Sequence, residues 1–280
     1  MADISASLVM ELRNKTGAKM MDAKRALVEA DGDMARAVAL LRERGEAEAG
    51  KRQHRATAEG TVATAQAADH AAASLVELNC ETDFVAKTDE FQALAARMAG
   101  WLLGARAERV SADALPEDAQ AAVTAAISKT GENILFRRGV RFATADGVVE
   151  SYIHLGGKIG VLVQIDGCAC DLVRALAKDL AMQVAAAVPE YLAREDVPAS
   201  VIAGEMEIYR NQALAEGKKE EFLDRIAAGR LEKFFKDTCL LEQPFIKDAD
   251  KTIKGLVAEV AKAVGQELTL VRFVRFQLGQ

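Results

Sequence analysis

From residue 60 onward the sequence runs twice through one pattern, which sharply limits the folds open to it. In the first copy, Gly60–Ala67 and Ser74–Asn79 read as two strands around a turn, and Phe91–Leu103 has helical spacing. In the second, Val148–His154 and Ile159–Ile165 read as strands around Gly156-Gly157, and Leu172–Val188 as a helix. Each copy later offers an Arg/aromatic strand, Ile134–Phe142 in one and Leu270–Phe276 in the other. Alternation of apolar residues with Arg suits a half-buried strand whose charges face water. A hairpin, a helix and a returning strand, repeated, predict two related α+β core subdomains. A further helical stretch, Glu117–Ser128, precedes the first returning strand.

Ahead of the repeat, residues 3 to about 50 carry three short helical periods. Ile4, Leu8, Val9 and Leu12 share one face, and Gly17 is available to end that helix in a left-handed conformation. Asp22 can cap a second helix bearing Ala26, Leu27 and Ala30, and Asp31-Gly32-Asp33 can cap a third bearing Met34, Ala37, Val38 and Leu41. Helices this short bury their faces only against one another, which predicts a three-helix module. Glu46–Arg55 reads as a charged, mobile linker. The second copy also holds an insertion: Pro198 can open a helix that runs through Ala215, Gly217 can end it, and a second helix follows with Phe222, Ile226 and Leu231 on its apolar side. So short a connection makes an antiparallel helical hairpin, a projection better suited to meeting a partner than to chemistry. The divisions expected are residues 1–55 for the module and linker, 56–146 and 147–280 for the two subdomains, and about 189–230 for the inserted hairpin.

Composition narrows the function. Lys and Arg number 36 against 42 Asp and Glu, a net charge of −6, and no long basic run occurs. That balance argues against nucleic acid as the main partner. No stretch approaches the ~18–20 apolar residues of a membrane span. The opening Met1-Ala-Asp-Ile-Ser-Ala-Ser-Leu lacks the basic-then-apolar order of a signal peptide, so the expectation is a cytoplasmic protein with reduced thiols at Cys80, Cys168, Cys170 and Cys239. Cys168-Ala169-Cys170 is too tight for a zinc hairpin and has no second ligand pair nearby, so it reads as small residues in a turn, and no metal or cofactor is expected. Phosphate-loop, dinucleotide, His-Glu-x-x-His and Gly-x-Ser-x-Gly motifs are all missing. The histidines are His54, His70 and His154, too few and too scattered for an acid–base centre, so catalysis is not expected.

One segment is unusual for a plain core: Val76-Glu-Leu-Asn-Cys-Glu-Thr-Asp-Phe-Val-Ala-Lys87, a strand running straight into a helical stretch. Read from the residues alone, Thr82 or Asp83 caps the helix and Phe84 packs inward; the other reading keeps Phe84 outside for a partner.

That segment, with Thr16-Gly-Ala-Lys-Met-Met-Asp-Ala-Lys-Arg-Ala-Leu27, closely resembles the bacterial translation elongation factor Ts family. Gly131-Glu-Asn-Ile134, Ser151-Tyr-Ile-His154, Ile159-Gly-Val-Leu-Val163, Gln243-Pro-Phe245 and Arg272-Phe-Val-Arg-Phe276 match further, in family order along essentially the whole chain. The resemblance implies an N-terminal module like ubiquitin-associated domains, two related core subdomains and an inserted coiled-coil hairpin. It also implies the task, which is to release GDP from elongation factor Tu so that GTP can rebind, with no bond chemistry. In such a factor the aromatic of the Thr-Asp-Phe motif wedges between helices of the partner's GTP-binding domain near its Mg²⁺ site. The resemblance carries that role onto Thr82, Asp83, Phe84 and Val85, and it requires Phe84 to be exposed in the free protein.

Further contacts implied by the family fall on Met20, Met21, Asp22 and Lys24 in the N-terminal module, where core filling explains the two methionines equally well. In the core they fall on Thr130, Gly131, His154 and Thr238. Thr130 and Thr238 depart from the pattern, standing where an aliphatic residue and a valine are found. Some members carry a C-terminal helix that grips the partner; this sequence closes at Gln280, soon after its last strand, so the wedge and the N-terminal module are expected to do more of the work. Apolar Val201, Ile202 and Ile208 in the hairpin permit a homodimer. The competing readings are a plain adaptor indifferent to the partner's nucleotide and, more distantly, a small-molecule enzyme.

Overall fold

The computed structural model describes residues 4–280. The N-terminal module is read from residue 3 onward, and residues 1–3 lie outside the described ones. Three helices open the chain: α1 (Ala6–Thr16), α2 (Met20–Glu29) and α3 (Met34–Arg52). Ser5 caps α1 by accepting from the Leu8 amide, Gly17 closes it at φ 70°, and Asp33 caps α3 by accepting from the Arg36 amide. Asp22 does not cap α2. That helix starts two residues earlier, so the carboxylate sits in its first turn, where the helix dipole favours it, and pairs with Arg25. The small module core is Val9, Leu12, Ala23, Ala26, Leu27, Ala30 and Ala37.

Residues 46–52 belong to α3 and not to a loose linker. The Glu-Ala-Glu-Ala run has good helix propensity, and Ala49 is buried in the core of the first sheet's layer. Gly45 lies against Ser128, which closes the module onto the following unit.

That unit is α+β. β1 (Glu59–Gln66) and β2 (Ala72–Cys80) form the first hairpin, followed by α4 (Asp83–Ala86), α5 (Asp89–Gly104), β3 (Arg109–Ser111), α6 (Glu117–Thr130) and β4 (Ile134–Ala143). These strands make an antiparallel sheet in the order β1-β2-β4-β3. β5 (Gly147–His154), β6 (Ile159–Asp166) and α7 (Asp171–Ala187) repeat the hairpin and helix. An insertion then supplies α8 (Ala199–Ala215), α9 (Glu220–Thr238), the short β7 (Pro244–Phe245) and β8 (Asp248–Thr252), and α10 (Ile253–Val264). β9 (Thr269–Gln277) returns to complete the sheet β5-β6-β9.

The two copies meet face to face with reciprocal contacts. Val62, Leu75, Val140 and Phe142 of the first sheet pack on Val149, Leu162 and Phe276 of the second. The Val62 amide donates to Gly157 O at 2.7 Å while the Val149 amide donates to His70 O at 2.8 Å. Arg138 lies over the Phe276 ring and Arg272 over the Phe142 ring, each 4.2 Å from the centroid. Arg138 Nε donates to buried Glu77, and Arg272 Nε donates to Gln164, both at 2.8 Å. One arginine of each Arg/aromatic strand, Arg138 and Arg272, thus lies along the inter-sheet seam and over the other copy's aromatic, where alternation alone would place the charge in water. Gly60 and Gly147 also correspond: a Cβ there would stand 2.1 Å and 2.2 Å from the carbonyl oxygens of Leu78 and Ile165, so each hairpin needs glycine at its start. α5 and α6 cover the outer face of one sheet, α7 and α10 that of the other.

In the helical hairpin, Leu223, Ala227 and Phe235 are the buried residues on α9, and Phe222, read as apolar-side, is exposed. Val201 and Ile202 pack at the base with Phe235 and Cys239, which leaves Ile208 and Leu214 among the exposed apolar groups of α8.

Candidate functional site

The Asn79–Lys87 segment is built to hold a short turn still while exposing its middle. β2 ends at Cys80, and Thr82 adopts extended backbone and caps α4, its hydroxyl accepting from the Val85 amide at 3.3 Å. Glu132, in the loop after α6, takes the Thr82 hydroxyl at 2.6 Å and the Thr82 amide at 3.1 Å. Glu81 accepts the Asn133 amide at 2.6 Å, and Asn133 donates to Arg55 O at 2.9 Å. Ala86 is buried and Val85 packs on the same core. Within this clamped turn Phe84 is 81% exposed, the most open large apolar side chain among the described residues. Thr82 is therefore the cap, but Phe84 is no core residue.

Asp83 donates nothing to that clamp; it accepts from Lys87 Nζ at 2.6 Å one helical turn on. The Lys87 hydrogen bond holds the Asp83 carboxyl below its ordinary range, with Lys158 adding to the effect. A depressed folded-state value means the pair stabilises the turn at neutral pH and is lost as pH falls through the Asp83 titration. Lys87→Ala should move that titration upward toward the ordinary aspartate range, measured by carboxyl carbon NMR. Cys80, beneath the turn, is no nucleophile: burial pushes its thiol up to about 12, and it donates to Thr82 O.

Thr130 and Gly131 adjoin the clamp. Gly131 closes α6 at φ 81°, and the Thr130 hydroxyl accepts the Glu132 amide while donating to Ala126 O. His154 ends β5, stacked on Tyr152 with Nδ1 3.0 Å from the tyrosine hydroxyl. The turn after it exposes Leu155 and places Lys158 within electrostatic reach of Asp83. Met20 and Met21 are 43% and 63% exposed, which removes the core-filler reading, and Lys24 is exposed beside them. Thr238 stands apart at the foot of the helical hairpin, its hydroxyl donating to Phe234 O and its carbonyl accepting the Glu190 and Tyr191 amides.

Two further residues matter here. Glu132 lies inside the Gly131-Glu-Asn-Ile134 motif, but nothing in the spacing shows that it reaches 50 positions back to Thr82. Leu155 is marked in the sequence only by the glycines that follow it. Glu132→Ala would strand the Thr82 amide, and a loss of about 1–3 kcal/mol is expected in urea unfolding.

The family model described as elongation factor TS matches residues 81–280, beginning at the clamp itself. The chain belongs to the elongation factor Ts family. Elongation factor Ts of Clostridium botulinum (strain Eklund 17B / Type B) is 47% identical over 286 residues, covering 99% of this chain and 93% of the relative. That of Clostridioides difficile (strain 630) is 47% identical over 287 residues, covering 100% and 94%. That of Symbiobacterium thermophilum is 46% identical over 286 residues, covering 100% and 93%. Membership in the elongation factor Ts family gives the chain a role in translation elongation. Among the described residues no helix is long and apolar enough to cross a membrane, and no group of three or more His, Cys, Asp or Glu side chains is placed to hold a metal ion.

Proposed function

We propose that this chain is a guanine-nucleotide exchange factor that binds elongation factor Tu carrying GDP and speeds GDP release, without making or breaking a covalent bond. The observation that carries the reading is Phe84, an aromatic ring 81% exposed on a turn fixed by Glu132 and Glu81. An exposed ring is uncompensated in the free protein and gains most when a partner covers it. Fixing the turn beforehand removes the ordering cost on binding.

A GTPase holds GDP through backbone donors, a lysine and Mg²⁺ bridging the phosphate oxygens. A ring inserted between helices near that Mg²⁺ site favours the nucleotide-free arrangement. Release is accelerated to the extent that the factor binds this state better than the loaded one. The coupling is reciprocal, so GDP weakens the factor's own grip. Asp83 supplies polar contact beside the ring, and Thr82 and Val85 set its angle. Met20, Met21, Asp22 and Lys24 form a second contact on the N-terminal module, read as ubiquitin-associated-like. Thr130, Gly131, His154 and Thr238 extend the core surface. The hairpin of α8 and α9 is read as a coiled coil, through which a second copy can pair. The setting is the cytoplasm, and no nucleic acid, membrane or cofactor is required. The domain divisions are those given by the sequence, at about residues 55 and 146.

The test is release of fluorescent GDP from elongation factor Tu with and without this chain, together with its affinity for Tu in nucleotide-free and GDP-loaded forms. Accelerated release and tighter binding to the empty form are expected. Unchanged release with nucleotide-indifferent binding would instead make the chain an adaptor.

A further inference from the structure

Outside the wedge, the pair Cys168 and Cys170 is the one cluster of nucleophilic side chains among the described residues that the exchange reading leaves unused. Both thiols are free and partly exposed, whereas Cys80 and Cys239 are buried. They lie in the loop that joins β6 to α7, with Gly167 at φ 115° ahead of them. A Cβ at Gly167 would stand 2.0 Å from Glu267 O, so the entry to this loop is pinned against the segment before β9. Cys170 occupies the N-cap position of the 17-residue α7, where serine, threonine, aspartate or asparagine is ordinarily preferred. Each thiol is the other's strongest electrostatic neighbour, and the amides of Val173 and Leu172 act on Cys170 from the head of α7, although its sulfur makes no capping hydrogen bond there. Asp146 is the acidic group acting on Cys168.

We propose that Cys168-Ala169-Cys170 is a reversible thiol–disulfide site, with Cys170 as the attacking sulfur and Cys168 as the resolving one, oxidised by hydroperoxides. Three features support this assignment, beside the place of Cys170 at the head of α7 and the partial exposure of both thiols. Two residues of chain span at most about 7 Å between Cα atoms, and a disulfide spans 4.4–6.8 Å, so closure requires rotation only within the loop. Cys168 beside it, and after that the amides at the head of a long helix, favour a thiolate at Cys170 and hold its thiol below the ordinary cysteine range. Contact with Cys170 pushes the Cys168 thiol up, so Cys168 keeps its proton until the second step. An accessible thiolate next to a resolving thiol is the arrangement that redox-sensing cysteines share.

The step balances without a metal. The Cys170 thiolate attacks one peroxide oxygen, the O–O bond breaks, and the departing hydroxide takes a proton to become water, leaving a sulfenic acid at Cys170. The Cys168 sulfur then attacks the Cys170 sulfur, and the sulfenic hydroxyl leaves with the Cys168 proton as a second water. Two thiols lose two electrons to form one disulfide, and the peroxide gains them. A dithiol reductant reverses the bond by exchange.

The experiment uses the full chain, reduced and then exposed to one equivalent of hydrogen peroxide, alkylated and analysed by peptide mass spectrometry. The peptide containing residues 168–170 should lose the mass of two hydrogens and become resistant to alkylation, while Cys80 and Cys239 remain unoxidised. In Cys168→Ser, a sulfenic acid at Cys170 should accumulate and be trapped by dimedone; in Cys170→Ser, Cys168 should react at least about tenfold more slowly. Recovery of both thiols with dithiothreitol completes the expected result. Oxidation of these cysteines no faster than Cys80 and Cys239, disulfides only between chains, or unchanged reactivity in Cys170→Ser would each overturn the assignment.

Discussion

Under the proposed exchange function, Phe84→Ala is expected to slow GDP release from elongation factor Tu by about 30- to 1,000-fold at a fixed subsaturating concentration of the chain. That range corresponds to ~2–4 kcal/mol, the loss seen when a central aromatic anchor is truncated. The folded chain itself should lose almost nothing. The ring is 81% exposed, so its removal opens no cavity, and the turn stays held by Thr82, Glu132 and Glu81. Urea unfolding should therefore agree with the natural chain within about 0.5 kcal/mol. Both readouts are needed, because slow release with lost stability would mean only that the turn had come apart. Wild-type release rates in a stably folded Phe84→Ala variant would remove the ring from the mechanism and shift the work to Met20, Met21 and the β5–β6 turn.

The hairpin and returning strands of both copies, the three N-terminal helices and the outline of the helical hairpin were legible because each alternates or cycles over several residues, and such periods are local, whereas the three-residue β3 is too short to show one. The long-range pairings were not. Arg138 and Arg272 read as water-facing charges, yet each crosses to an aromatic ring of the other copy. That crossing depends on how two sheets stack, which no window along one strand contains. α10 has a Thr252 cap and buried Ile253 and Val257, but a unit read as hairpin, helix and strand has no place for it. Residues 46–52 have a composition that serves a linker and a helix equally, and the burial of Ala49 against distant residues decides for the helix. At the candidate site, a cap at Thr82 or Asp83 followed from their place before a helical stretch, and the structure makes it Thr82. The exposure of Phe84 did not follow from spacing: in a four-residue helix one position either faces the core or misses it, and Ala86 and Val85 take the inward side. In the proposed function the cap and the outward ring are two parts of one device, since an anchor must be both accessible and fixed.

Leu162→Ala, a core truncation at the seam between the sheets, should cost about 2–5 kcal/mol. Leu162 is fully buried on the face of β6 that meets the first sheet, and Leu75 occupies the corresponding place on β2. The seam cannot collapse to fill the hole. Backbone hydrogen bonds from Val62 to Gly157 and from Val149 to His70 fix the sheets at their edges, and Gly160 lets Leu75 and Val62 approach so closely that a Cβ there would be 2.5 Å from each. A cavity held open in this way retains its full cost, which grows with the volume left empty. Leu75→Ala should cost a similar amount, because its surroundings are the same set of side chains seen from the other copy. The double variant should depart from additivity, since the two residues share one cluster. Thermal and urea unfolding of the three variants provide the check. If the seam joins the sheets into one cooperative unit, each single variant shifts one transition to lower temperature. A loss below 1 kcal/mol in both, or a change confined to an early partial transition, would mean that the two sheets unfold independently and that the reciprocal contacts contribute little.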